Sequence, residues 1–383
     1  GIRGTNDGVT GQYYYDADLD GTNLRVKFLY DPEDSKDIYV NTWEGAAPTP
    51  TPTPTPIPGT TGTITGTVEV QGRGPLHGTD YSGTLVSAEG LTTTVNMTTG
   101  ADGSFSLAGL PPGPYNVTAQ MGGYLDAIDT AVDAVAGAIT DLPKWRLLGG
   151  DATDPWDVVD IFDLAAVGWQ YDAGPTAGNY EDINGSGIVD IFDVVMVGVN
   201  FDKTSGPPVL ASSMSKARSA SKANLRVVPP HQQIEVDDLL TVTLELEDVL
   251  DLYGADVRLA FDPDVLEVVD ADSEKAGVQV IPGTFPDPLQ GDVTMNRADN
   301  DEGTVAYAIS LISPADPASG DGTLCTITFR AKADGFSSLR ISSADLSDSE
   351  ADPISALYMG GWIRVGTEYL IYMPCIWKPG VSR

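Results

Sequence analysis

The amino-acid sequence predicts a mainly β, multidomain protein interrupted by one small α-helical module. Three observations lead there. Its 383 residues suffice for two to four domains at roughly 100–200 residues each. Apolar and polar residues alternate in short runs between turn residues, and 42 glycines with 27 prolines favour short strands over helix bundles. Between the strand-rich regions, residues 149–202 hold eleven acidic residues, no Lys or Arg, and two apolar runs suited to short helices.

Charge and composition exclude several classes of function. With 55 Asp plus Glu against 21 Lys plus Arg, the formal net charge is −34. Nucleic acid is excluded as a partner, because phosphate neutralisation needs clustered cations. A hydrophobic content of 41% rules out wholesale disorder. No apolar run reaches the roughly 18 residues needed to span a bilayer. No charged, apolar leader opens the residues at Gly1, so a secreted protein would have lost it or carry it outside them. The two histidines, His77 and His231, neighbour no candidate nucleophile, and no carboxylate pair with a raised pKa stands out. No catalytic residue is assigned, and a non-enzyme is expected.

Residues 1–45 offer three strands, GQYYY, LRVKFLY and DIYVNTW. Three strands are too few for a well-buried sandwich, so this β piece either ends a larger domain or is completed by another segment. Asp16, Asp18 and Asp20 precede Gly21 at calcium-loop spacing, but Lys27 at position twelve favours a solvated turn. Residues 46–60 form an alternating Pro/Thr linker, a semi-rigid polyproline-type spacer. Thr49, Thr51, Thr53 and Thr55 there are either glycan acceptors or part of a bare spacer. Residues 61–148 alternate as a half-buried antiparallel sheet or sandwich.

Residues 149–202 carry the chemistry. Val159–Gly168 and Val189–Gly198 repeat one another, each running from a carboxylate loop into an apolar segment. The second loop places Asp182, Asn184, Ser186, Ile188, Asp190 and Asp193 at positions 1, 3, 5, 7, 9 and 12, with Gly187 at the sharp turn. Side-chain oxygens, with the backbone carbonyl of Ile188, would surround one centre. Hard oxygen donors without sulfur or imidazole point to Ca²⁺. The first loop is one residue longer. Asp151, Thr153, Asp154, Asp157, Asp160 and Asp163 supply its donors, and either Trp156 or Asp157 occupies the turn, depending on the register.

Residues 203–223 read as a Ser/Ala-rich, locally basic linker, either a solvated tether or a strip lying on an acidic neighbour. Residues 224–366 contain nine strand-like runs, which predicts a two-sheet jelly-roll sandwich. Residues 367–383 hold a terminal apolar strand and tail. The strand either joins the adjacent sheet, where a Cys325–Cys375 disulfide would hold it, or completes the N-terminal piece of a neighbouring subunit.

Three family resemblances add to this reading. Ile64–Val68, Asp102–Leu107, Leu110–Val117 and Gly123-Tyr124 resemble a carboxypeptidase regulatory-like domain, which implies a prealbumin-like β-sandwich spacer without chemistry of its own. The paired loops resemble a type I dockerin. That likeness implies a calcium-folded module docking on a cohesin through loop positions ten and eleven, here Ile161, Phe162, Ile191 and Phe192. Small hydroxyl residues are common there in the family, so these apolar pairs leave the partner's identity open. Leu250–Val268 and Gly322–Ala331 resemble a cohesin, a non-catalytic dockerin receptor. The combination implies an extracellular or cell-surface assembly protein whose partners are cohesin- or dockerin-bearing proteins or copies of itself. Three arrangements follow: a clasp within one chain, a head-to-tail filament, or an adaptor scaffold recruiting carbohydrate-active enzymes.

Overall fold

A computed structural model describes the backbone of residues 12–20, 23–31 and 39–46, and residues 60–175, 180–211 and 222–366 in full. The chain divides into two compact units, 1–58 and 59–383. In the first, Gln12–Asp20, Asn23–Asp31 and Tyr39–Ala46 form an antiparallel sheet in that order. Tyr15 stands opposite Phe28, and Phe28 opposite Asn41. These are the three strands expected from the sequence. Asp16, Asp18 and Asp20 all lie along the first of them, so they do not curl into a cation loop.

The second unit begins with a sandwich. One sheet runs Ala127–Ala134, Gly113–Gln120, Leu85–Glu89 and Thr94–Thr98. The other is built around Gly62–Val70, which pairs antiparallel with Ser104–Leu110 and parallel with Ile139–Asp141 and Trp145–Leu147. The parallel pairs correct the all-antiparallel expectation. Both late strands return after the chain has visited the opposite sheet, and such crossovers deliver parallel neighbours. Alternation does the packing: along Gly113–Gln120, Tyr115, Val117 and Ala119 are buried between exposed or half-buried neighbours. They meet Ile64, Val68, Phe105, Leu107 and Trp145 between the sheets.

Two short helices follow, α1 at Ile161–Trp169 and α2 at Ile191–Asn200. At nine and ten residues they are marginal as isolated helices, and their caps and packing hold them. The segment after α2 is not a free linker over its whole length. Val209–Leu210 pairs with Trp145–Arg146, Thr204 bridges Val158, and Gly206 bridges Ala127. Residues 203–211 thus tie the helical module to the first sandwich. Their small and Pro residues suit close backbone approach as well as they suit a tether.

The last sandwich is organised by one strand of 22 residues, Leu239–Ala260. Two of the nine strand-like runs read from the sequence, TVTLELEDV and GADVRLAFDP, fall here. The structure joins them through register shifts near Val249 and Leu252, where Asp248 and Asp251 adopt positive φ of 57° and 62°. Bulges of this kind bend a strand. The first part pairs with Ala318–Ala331, the second with Thr304–Leu311 and Gly335–Asp348. Leu244, Val257, Tyr307, Ile327, Phe329 and Leu339 fill the core. Among the described residues Cys325 is a free, fully buried thiol in that core. Cys375, like the terminal strand, lies outside the described residues.

Candidate functional site: the paired carboxylate loops and the helix they launch

Each loop ends in a helix start built by two aspartates. In the second, Asp190 is the N-cap of α2 and accepts from Phe192 N at 2.9 Å, while Asp193 Oδ2 accepts from Asp190 N at 2.9 Å. This is a reciprocal capping box with Asp at N3. Asp193 Oδ1 reaches across the loop to Ile183 N at 2.9 Å and Asn184 N at 3.1 Å. Asp182 closes the turn by accepting from Ser186 N at 3.0 Å and Gly187 N at 2.9 Å. Loop and helix are thus one hydrogen-bonded device with Asp193 at its hub.

The first loop repeats the plan. Asp160 caps α1 by accepting from Phe162 N at 2.8 Å, and Asp163 Oδ2 accepts from Asp160 N at 2.8 Å. Asp163 Oδ1 takes Ala152 N and Thr153 N, both at 2.8 Å. Asp157 N donates to Asp151 Oδ2 at 2.9 Å, the counterpart of the Gly187 to Asp182 bond. This resolves the register: Asp157 occupies the turn, with φ of 72° against 99° at Gly187. Asp tolerates the left-handed region better than most non-glycine residues. The extra residue lies between Thr153 and Asp157, and from the turn onward the two copies match.

These carboxyls are held where ionisation is costly. Burial pushes Asp151 up to about 7 and Asp190 up to about 6. It also raises Asp163, and it raises Asp193 strongly, with the charges of Asp190 and Asp182 adding to the effect. Asp151 Oδ1 is buried without a hydrogen-bond partner, as is Oε2 of Glu181 beside the second loop. Among the described residues, no three His, Cys, Asp or Glu side chains are grouped to hold a metal by themselves.

Several contributors were invisible as motifs. The Ile183 carbonyl in the second loop accepts from the Tyr124 hydroxyl at 2.8 Å and from Arg73 Nη2 at 3.4 Å. Asn200 Nδ2, in the last turn of α2, donates to Gln71 Oε1 at 2.6 Å and to Gly149 O at 2.7 Å. The Ser205 hydroxyl donates to Asp157 Oδ1 at 2.7 Å. These partners are far away in sequence and share no spacing rule with the loops.

The four apolar residues at loop positions ten and eleven part company. Ile161 and Phe162 are 57% and 62% exposed, and Trp169 on the same helix is 88% exposed. Ile191 is fully buried, and Phe192 is half-buried with its ring edge-on to His77 at 5.4 Å. Helix α2 lies against Leu239–Ala260, Thr304–Leu311 and Gly335–Asp348. A methyl group at Gly254 would meet Val195 Cγ2 at 2.4 Å, and one at Gly198 would meet Leu311 O at 2.3 Å. Gly198 O accepts from Ser313 N at 2.8 Å. Beside this seat, the Tyr171 hydroxyl donates to Asp256 Oδ2 at 2.8 Å, and Arg258 Nη2 pairs with Asp172 at 2.7 Å.

Comparison with known proteins identifies the domains flanking the loops. Residues 63–145 match the family model of the carboxypeptidase regulatory-like domain, and residues 227–365 match that of the cohesin domain. None of the curated proteins searched matches the chain. Among solved structures, a non-cellulosomal cohesin from the archaeon Archaeoglobus fulgidus is similar at 16% identity. That match covers 38% of this chain and 93% of the other, with a TM-score of 0.30. A type II cohesin domain from Acetivibrio cellulolyticus is similar at 16% identity, over 37% and 95%, with a TM-score of 0.33. A type I cohesin from Pseudobacteroides cellulosolvens is similar at 20% identity, over 39% and 96%, with a TM-score of 0.31. Both matched domains are of non-catalytic kinds, and among the described residues no helix is long and apolar enough to cross a membrane. The chain therefore carries a cohesin domain behind a carboxypeptidase regulatory-like domain, and the cohesin domain indicates a role in protein–protein assembly.

Proposed function

We propose that this is a non-catalytic, extracellular assembly protein whose 149–202 segment is a dockerin-type module, folded by Ca²⁺ and docked on a cohesin sheet. The seating of α2 on the strands Leu239–Ala260, Thr304–Leu311 and Gly335–Asp348 carries this reading. The chemistry of the loops supports the ion. A buried carboxylate oxygen of Asp151 has no donor to meet it, and the neighbouring aspartates repel each other when ionised. In the second loop Asp182, Asp190 and Asp193, with the Asn184 amide, the Ser186 hydroxyl and the Ile188 carbonyl, would hold the ion. In the first, Asp151, Thr153, Asp157, Asp160 and Asp163 would do so, with Asp154 at the rim. A bound divalent cation neutralises these clusters and so stabilises the helices that follow.

Calorimetric titration of the chelated full-length protein tests the reading. Calcium uptake is expected, with a gain in folding stability of about 2.7 kcal/mol once free calcium reaches about a hundred times its dissociation constant. No uptake, with helical signal and unfolding midpoint unmoved by EDTA, overturns it. The same contact exchanged between molecules would link chains head to tail into a surface filament. A second reading, an adaptor that recruits carbohydrate-active enzymes, draws on the exposure of Ile161 and Phe162. It requires the purified protein to retain partners other than itself.

A further inference from the structure

The two halves of the helical module are near copies, yet they are used differently. Gly168 in α1 and Gly198 in α2 occupy the same place in the repeat. A methyl at Gly168 would find its nearest neighbour, Thr294 Cγ2, at 3.8 Å, an ordinary contact, whereas at Gly198 it would collide with the backbone of Leu311. Between α1 and the edge residues Asp292, Val293 and Thr294 lies an open groove of about 350 Å³, lined on the helix side by Ile161, Ala165 and Gly168. The seat at Gly254 and Leu311 is shaped for α2.

Other parts of the chain close around that seat. Between the helices, Tyr171 and Asp172 engage Asp256 and Arg258 of the cohesin domain. The first sandwich adds His77 near Asp352 at 3.4 Å and Arg146 paired with Glu350. Tyr253, Ala308, Leu311 and Ala351 share one hydrophobic cluster with the core of the first sandwich and α2.

We infer that the cohesin-domain face formed by Leu239–Ala260, Thr304–Leu311 and Gly335–Asp348 is latched in cis, its occupant being helix α2 of the same chain. The inference rests on the assembly reading above and names the partner of that contact. Two physical terms favour cis over trans. Copies bearing a net charge of −34 repel one another. The docked segment and the cohesin domain lie on one covalent chain, close together in sequence, and joining two partners in this way gives an effective concentration in roughly the mM range. The face is presented to another molecule only when this latch opens.

A disulfide trap tests it on the full-length chain. Val195→Cys and Gly254→Cys are introduced together in a Cys375→Ser background. Their side chains meet within disulfide reach, while native Cys325 is buried. The expected result is a complete intrachain bond, mapped by mass spectrometry, on a monomer at every protein concentration. Covalent dimers and ladders that grow with concentration overturn the inference, as does a folded protein that forms no bond. Gly198→Leu and Gly168→Leu give an independent reading by small-angle scattering. The first should lose compactness and the second should not, and two profiles matching the wild type overturn the latch. Repeating the trap in EDTA separates the two claims. An intrachain bond that forms equally without calcium defeats the calcium reading alone, whereas bonds only between chains defeat the latch alone.

Discussion

Asp193 shows how one side chain serves a cap, a loop and an electrostatic trap at once. Its carboxylate satisfies the N–H groups of Ile183, Asn184 and Asp190 while fully buried. Asp193→Ala strands these three donors, and a buried donor without a partner costs about 1–3 kcal/mol. Loss of roughly 3 kcal/mol or more is therefore expected, read as a lower denaturant midpoint. Cys325 makes the opposite case of a reactive group kept inert. Burial pushes its thiol up to about 12, so the nucleophilic thiolate is scarce at neutral pH. Alkylation mapped by mass spectrometry should leave Cys325 unmodified in the folded protein and label it once the protein is unfolded. Labelling in the native state would show that the core opens there.

Among the elements, the two helices form a natural comparison. Both start with an Asp-capped Ile-Phe-Asp turn, but Ile191 is buried against the cohesin domain and Ile161 is mostly exposed. Ile191→Ala should cost about 2–5 kcal/mol, as for buried large-to-small substitutions. Ile161→Ala should stay within about 0.5 kcal/mol, as for exposed ones. Equal losses in thermal unfolding would mean that the copies are seated alike. The long strand Leu239–Ala260 is the other decisive element. Its bulges let one strand serve both parts of the sandwich and bring Gly254 under α2.

At the scale of the molecule, charge is the dominant long-range term. Carboxylates outnumber cations by 55 to 21, so even complete pairing would leave 34 of them without a cation. Self-repulsion therefore opposes the compact state at low salt. Screening shrinks the Debye length from roughly 30 Å at 0.01 M to roughly 8 Å at 0.15 M ionic strength. The melting temperature in calcium-free buffer should rise over that interval of NaCl. A fall would mean that ion pairs such as Arg258 with Asp172 and Asp256 outweigh the repulsion.

Strand alternation, turn residues and the acidic repeat were enough to define the mainly β character and the two helix starts, because these depend on neighbours a few residues apart. The same local rules placed Asp182, Asn184, Asp190 and Asp193 in one loop. They left the turn of the first loop undecided between Trp156 and Asp157, since an inserted residue has no register until the hydrogen bond to Asp151 forms. They also split the Leu239–Ala260 strand and left 203–223 as either a tether or a strip on an acidic neighbour, because long-range pairing was out of view. Ile161 and Ile191 are identical in local sequence. Only the approach of Gly254 and Leu311 to α2 made one a core residue and left the other on the surface, for burial is a property of contacts between distant segments.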